Sequence, residues 1–440
     1  MEPTQTAQRS ASRFSTFAGA VLATAGVAIG LGNIWRFPYM MGRDGGSAFL
    51  LIYLLILAFF GAPMLMCELA LGRHTRRGPW GALQRTGMPY ASFFAGVLIL
   101  TVVMAASYYA VVIGWVLQEF VAFARLGISH TPMEEYSTTI GSGEVQFAYL
   151  AGVVAVGCGV LALGVRRGIE KGSAILLPIF FLLFILILGR VLTLPGAVGK
   201  LADFLTPNWS DFSSRTALSA MGQAVFSLGL GGTFMVQYGS YMRKEQSIPK
   251  TAIFTVGADL LAALMAGAII VPAVLVNGMD LSAGPSLLFS VMPQVFSELP
   301  AGALAGAGFF FAVFVVALLS LIAAYEVIAA AMGRAFGLSR RSALLILFVS
   351  QCALAVPAYL FARYIEISDL VWGTTMQPIG AAIAVIALTW FVGRTNTLTE
   401  LRRNAACPVP DWLYWWVRFA VPVAIVFVLV VGWWDWLRPA

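Results

Sequence analysis

The chain has 440 residues, of which 60% are hydrophobic, 13% aromatic and only 11% charged, with a formal net charge of +7. A soluble globular domain carries about 25% charged residues, so this composition excludes a soluble enzyme, a disordered chain and a coiled coil. The mean hydropathy of +0.87 is concentrated in runs that each reach the ~20 residues needed to cross a bilayer. The sequence therefore reads as an all-α polytopic membrane protein. Its basic excess marks loops on one side of the membrane and does not form a nucleic-acid patch.

In chain order, residues 1–14 read as a cytoplasmic N-terminal segment, and apolar spans are expected at 15–42, 47–72, 91–124, 147–164, 172–194, 217–241, 251–277, 303–337, 342–361, 370–393 and 413–437. That makes eleven. Arg9 and Arg13 ahead of the first run mimic a signal peptide, but the run flows straight into Gly30-Leu31-Gly32-Asn33 and reads as a retained span. With the N-terminus inside, 19 of the 27 Lys and Arg residues fall on the cytoplasmic side. This bias predicts an N-in, C-out chain. Trp412, Trp415 and Trp416 at one end of the last run, and Trp433, Trp434 and Trp436 at the other, suit interfacial belts.

Two spans are interrupted. The first reads Gly26-Val-Ala-Ile-Gly30-Leu-Gly32-Asn33, and the sixth reads Phe226-Ser227-Leu-Gly229-Leu-Gly231-Gly232. Each interior glycine costs a helix about 0.8–1 kcal/mol, so several together favour unwinding. Unwound backbone at membrane depth survives only where it lines a cavity or is buried in protein. Close packing of glycine faces would not call for Asn33 and Ser227 at the breaks. Spans 1 and 6 also open two successive sets of five, residues 15–194 and 217–393. Matched interruptions in two halves predict a 5+5 inverted-repeat transporter with its site at mid-membrane, followed by one added span at 413–437. The free N–H groups after Leu31 suit a carboxylate, and the free carbonyls before the break suit a small cation. Oxygen-bearing side chains at Asn33, Ser227 or Asp259 complete such a site.

Cys67, Cys158 and Cys352 lie in apolar runs and Cys407 in a loop, with no spacing that suggests a metal centre. Besides Asp259, Glu68 and Glu326 read as the only deep acids, and both suit structural hydrogen bonding better than catalysis. No nucleophile–base pair accompanies them, so an enzyme is not expected.

The motif Gly-Leu-Gly-Asn-Ile-Trp-Arg-Phe-Pro-Tyr at 30–39 resembles the signature of the neurotransmitter:sodium symporters. So do Gly45-Gly46-Ser-Ala-Phe49, Tyr108-Tyr109, Gly168-Ile-Glu170-Lys171 and Pro207-Asn-Trp209. The resemblance covers about residues 13–395, and eleven spans match bacterial members, implying a cytoplasmic (inner) membrane protein. It implies a first sodium site from the Ala28 carbonyl, Asn33, Ser227 and Asp259. Ala263 stands where chloride-dependent relatives have a serine, so chloride is not expected. A second sodium site would use the carbonyls of Gly26, Ile29 and Val316 with Ser320, but Leu319 replaces one oxygen ligand. The implied outer gate is Arg36 with Asp369, under which Tyr109 and Phe226 form a lid. The inner gate is not retained, since its positions read Ala11 and Arg334.

The resemblance also implies a substrate pocket of Val27, Ala28, Leu31, Gly32, Ala105, Tyr109, Phe226, Ser227, Gly229, Gly232, Ser320 and Ala324. With no acid near Val27 and small residues at 105, 232 and 324, it suits a bulky hydrophobic or aromatic amino acid, whose carboxylate Tyr109 would bind. The expected activity is sodium-coupled uptake by alternating access. A sodium-independent, proton-coupled or exchange mode on the same fold, and a transport-inactive receptor or scaffold, are the alternatives.

Overall fold

The computed structural model describes residues 13–126, 143–206, 214–279, 281, 287–298, 301–406 and 408–437, and among these it is helical throughout, with no strand. The principal helices are α1 (Phe17–Ala28), α2 (Gly32–Arg43), α3 (Ser47–Thr75), α4 (Ala91–Arg125), α5 (Gly143–Ala162) and α6 (Val165–Leu192). They continue with α7 (Ser214–Ser227), α8 (Phe234–Tyr241), α9 (Ile248–Val276), α10 (Gly302–Phe336), α11 (Arg340–Leu360), α12 (Arg363–Val392) and α13 (Asp411–Trp434). Among the described residues nine helices are long and apolar enough to cross a membrane, and α1 with α2, bent by 59° at their break, makes ten. The sixth expected span is the short pair α7 and α8, neither of which is long enough to cross alone.

The order of burial follows the sequence. In α10, 72% of the apolar window is buried, against 17% in α13, so α10 is central and α13 peripheral. The outward side chains of α6 and α13, such as Leu182, Ile185, Leu186, Val423, Phe427 and Val430, are apolar and exposed. Such surface is stable only in hydrocarbon, and the protein is an integral membrane protein.

Buried carboxylates fasten the two broken spans. At the start of α1, Glu170 accepts from the Ser15 and Thr16 N–H groups and the Ser15 hydroxyl, while Thr16 Oγ1 caps Gly19 N–H at 2.9 Å. A side chain at Gly19 would stand 1.8 Å from Glu170 Oε1 and would displace the carboxylate that holds the start of α1. At the second break Glu68 Oε1 accepts from both Gly231 N–H (2.9 Å) and Gly232 N–H (2.8 Å). The structural role expected for Glu68 is therefore visible. Glu326 likewise accepts from Tyr241 and pairs with Arg340 at 2.8 Å. The reading of two further deep acids was too short: Glu119 in α4 is also buried, with its Oε1 unpartnered. Cys67 and Cys352 are buried free thiols, and among the described residues no group of His, Cys, Asp or Glu is placed to hold a metal. Cys407, Ala11 and Pro207-Asn-Trp209 lie outside the described residues.

Candidate functional site

The backbone of α1 turns extended at Ile29 (φ −73°, ψ 115°), which ends the helix and leaves donors and acceptors to be satisfied locally. Asn33 Oδ1 accepts from Gly30 N–H at 2.9 Å. Tyr109, reaching across from α4, accepts from Leu31 N–H at 3.3 Å. At the α7–α8 break, Gly229 (φ +60°) and Gly232 (φ +69°) take left-handed backbone that L side chains rarely adopt.

Between the two breaks lies a cavity of about 80 Å³. Eleven of the twelve expected pocket residues line it: Val27, Ala28, Leu31, Gly32, Ala105, Tyr109, Phe226, Ser227, Gly229, Ser320 and Ala324. Among the described residues no acidic side chain lines it. Gly232 does not belong to it, because a side chain there would point at Gly380 O (2.5 Å) and Leu98 (3.1 Å). Glycine is needed at 232 for backbone approach to α12, and it adds no room for a ligand. Gly30, Val102, Ala106, Tyr108, Phe234 and Gln377 complete the lining without having been anticipated. Val102 and Ala106 were legible, since 102, 105, 106 and 109 fall on one helical face. Gln377, whose Oε1 is buried and unpartnered, carried no such signal.

Beside the cavity, three polar side chains from different helices converge. Asn33 Nδ2 donates to Ser227 Oγ (3.0 Å), Asp259 Oδ1 (2.7 Å) and Asp259 O (3.1 Å). Ser227 Oγ donates to Asp259 Oδ1 at 2.8 Å. Asp259 is wholly buried, no atom completes a well-formed hydrogen bond to its Oδ2 although the buried Tyr53 hydroxyl stands nearby, and no basic side chain is among its partners. A buried carboxylate with an unmatched oxygen, flanked by an amide and a hydroxyl, is a donor set of the kind a hard cation takes.

The second expected cation site is built differently. Ser320 Oγ lies 3.1 Å from the carbonyl oxygens of Val27 and Ile29, 3.3 Å from that of Val316 and 3.5 Å from that of Gly26. The expected carbonyls thus converge on a serine hydroxyl. Buried Leu319 packs its Cδ1 3.3 Å from where a side chain on Gly26 would begin. Its methyl supplies no electron pair to a cation.

Arg36 and Asp369 are not paired with each other in this conformation. The Arg36 guanidinium sits 4.4 Å above the Phe226 ring, and Asp369 Oδ1 accepts from Tyr108 at 3.0 Å. Each is thus held against a residue that lines the cavity, Phe226 for Arg36 and Tyr108 for Asp369. Arg334 lines a separate arginine-rich cavity.

Comparison with known proteins agrees with this geometry. The model of the sodium:neurotransmitter symporter family matches residues 12–127 and 131–438. The sodium-dependent transporter YhdH of Bacillus subtilis, itself uncharacterized, is 35% identical over 434 residues, covering 94% of this chain and 95% of its own. The uncharacterized sodium-dependent transporter MJ1319 of Methanocaldococcus jannaschii is 30% identical, covering 96% and 90%. Among solved structures, that of MhsT in complex with L-phenylalanine superposes with a TM-score of 0.87 at 30% identity, over 95% of this chain and 99% of that one. These relatives are transporters and not enzymes, and the chain belongs to the sodium:neurotransmitter symporter family.

Proposed function

We propose that the protein carries a hydrophobic or aromatic amino acid into the cell together with sodium, by alternating access in the bacterial inner membrane. The observation that carries this reading is the acid-free cavity between two helix breaks, with the Asn33–Ser227–Asp259 cluster beside it. An amine lacking its own carboxylate would need an acid in the pocket. A zwitterion brings one, and the Tyr109 hydroxyl, which lines the cavity at the break in the first span, offers a donor for it. The phenylalanine bound to MhsT supports the same class of substrate.

In this reading residues 15–194 and 217–393 form the inverted repeats, 413–437 adds an eleventh span, and the N-terminus lies inside. The substrate carboxylate completes the sodium site of the Ala28 carbonyl, Asn33, Ser227 and Asp259, so neither ligand binds well alone. That shared coordination couples the two. Asp259 supplies the negative charge within the site, and chloride is not required. Arg36 and Asp369 close over the substrate once Phe226 and Tyr109 have folded onto it. A guanidinium–carboxylate pair near water is weak enough to open again.

In this reading one sodium accompanies each amino acid, because Leu319 brings no oxygen to the second site, where only the Ser320 hydroxyl faces the carbonyls. The same feature favours, as a second reading, exchange without sodium coupling. Uptake of labelled tryptophan and leucine into proteoliposomes, with and without external sodium, separates the two. Sodium-dependent accumulation supports symport; sodium-independent exchange replaces it; and absence of both uptake and binding leaves a receptor or scaffold.

A further inference from the structure

A second cavity, away from the transport site, opens at the end of the molecule where α1 begins and α3 and α10 end. It has a volume of about 570 Å³ and is lined by Arg13, Arg76, Arg77, Arg85 and Arg334, with no acid among the described residues that line it. Of the acids nearby, Glu326 is engaged with Arg340 and Tyr241, Glu400 with Arg73 and Arg403, and Glu170 with Ser15, while exposed Glu245 acts on Arg76 at a distance. The cations are close enough to repel one another. Arg77 lies within electrostatic range of Arg334. Burial, and then the charges of Arg13 and Arg73, push the Arg76 guanidinium below its ordinary value against the weaker pull of Glu400 and Glu245. Arg76 is held in place by its bond to the Met242 carbonyl, on left-handed backbone at φ +56°.

Like charges gathered around one cavity are stabilised by a counter-charge, and planar guanidinium forks match the oxygens of a phosphate in pairs. We propose that this cavity binds a phosphate-type polyanion, held by Arg77 and Arg334 with Arg13, Arg76 and Arg85 around it. Such a ligand would tie the start of α1 to the ends of α3 and α10. It would occupy the place where the gate lacks a basic–acidic pair, and so would restrain opening on that side. Only this last consequence rests on the transport reading. Binding itself does not.

The test uses the purified full chain, so binding is read apart from transport. Pyrophosphate is titrated calorimetrically into protein in phosphatidylcholine nanodiscs, and melting is compared in phosphatidylcholine and phosphatidylglycerol nanodiscs. Saturable pyrophosphate binding, weakened about tenfold or more by Arg77→Gln and by Arg334→Gln but not by the distant Arg363→Gln, is the expected result. Both target side chains are exposed, so the variants should fold, and Arg77→Lys, which keeps the charge, should retain part of the affinity. If pyrophosphate does not bind but phosphatidylglycerol stabilises the protein with the same arginine dependence, the phosphate group is a lipid headgroup. Absence of arginine-dependent binding in both arms overturns the proposal.

Discussion

Asn33 donates to Asp259 Oδ1 at 2.7 Å, and this bond joins the break in the first span to the middle of α9. Ser227, at the end of α7, donates to the same carboxylate oxygen at 2.8 Å. One buried acid therefore gathers both helix breaks, and the position of one is reported to the other through it. If a cation joins this cluster, its charge is offset at Asp259, and its arrival draws together the elements that border the substrate cavity.

Replacing Asp259 by Asn keeps the shape and removes the charge. Sodium needed for half-maximal amino-acid binding should then rise about tenfold or more, a loss of about 1.4 kcal/mol per tenfold. A sodium titration of labelled-substrate binding measures it. An unchanged titration would place the cation elsewhere.

Leu319→Ser restores an oxygen beside the carbonyls of Gly26, Ile29 and Val316. If one sodium binds in the native protein, its Hill coefficient for sodium is about 1 and should climb toward 2 in the variant, since coupled sites raise it toward their number. A coefficient near 2 in the native protein, unaffected by the substitution, would sink the single-sodium reading.

The sequence announced the transmembrane architecture because apolar length and glycine clusters act locally. Gly26 to Gly32 and Gly229 to Gly232 can be recognised without knowing what surrounds them. The convergence of Asn33, Ser227 and Asp259 is a different matter. They are separated by 194 and 32 residues, and their meeting was expected from family resemblance, since no local pattern contains it. Gly232 was misplaced for the same reason. A glycine that makes room for a ligand and one that lets Gly380 approach look alike in a sequence. The separation of Arg36 from Asp369 is a property of conformation, which composition and spacing do not encode. Glu119 went unnoticed because one acid among the apolar residues of α4 barely changes the hydropathy of that run.

Glu68 holds the second break through two N–H groups on a single oxygen. Glu68→Ala leaves both donors buried and unpaired, at about 1–3 kcal/mol each. The variant should melt well below the native protein in detergent. Glu68→Gln, which retains an acceptor oxygen, should lose much less. Equal melting of the two would mean that the carboxylate charge, and not the capping, is what stabilises the break.

The substrate's size should be set by the small residues opposite Phe226. Ala324 is buried in α10 and lines the cavity, as Ala105 does from α4. Ala324→Leu adds three carbons to a cavity of about 80 Å³, and tightly packed interiors absorb such additions poorly, at about 1–3 kcal/mol. The added volume removes space that a large side chain of the substrate would use and leaves the groups around its carboxylate untouched. Affinity for tryptophan should therefore fall about tenfold or more relative to that for alanine or valine. Competition between labelled leucine and each unlabelled amino acid, in native protein and variant, reads the change directly. A uniform loss for small and large amino acids alike would show that Ala324 matters for the integrity of α10 and does not measure the substrate.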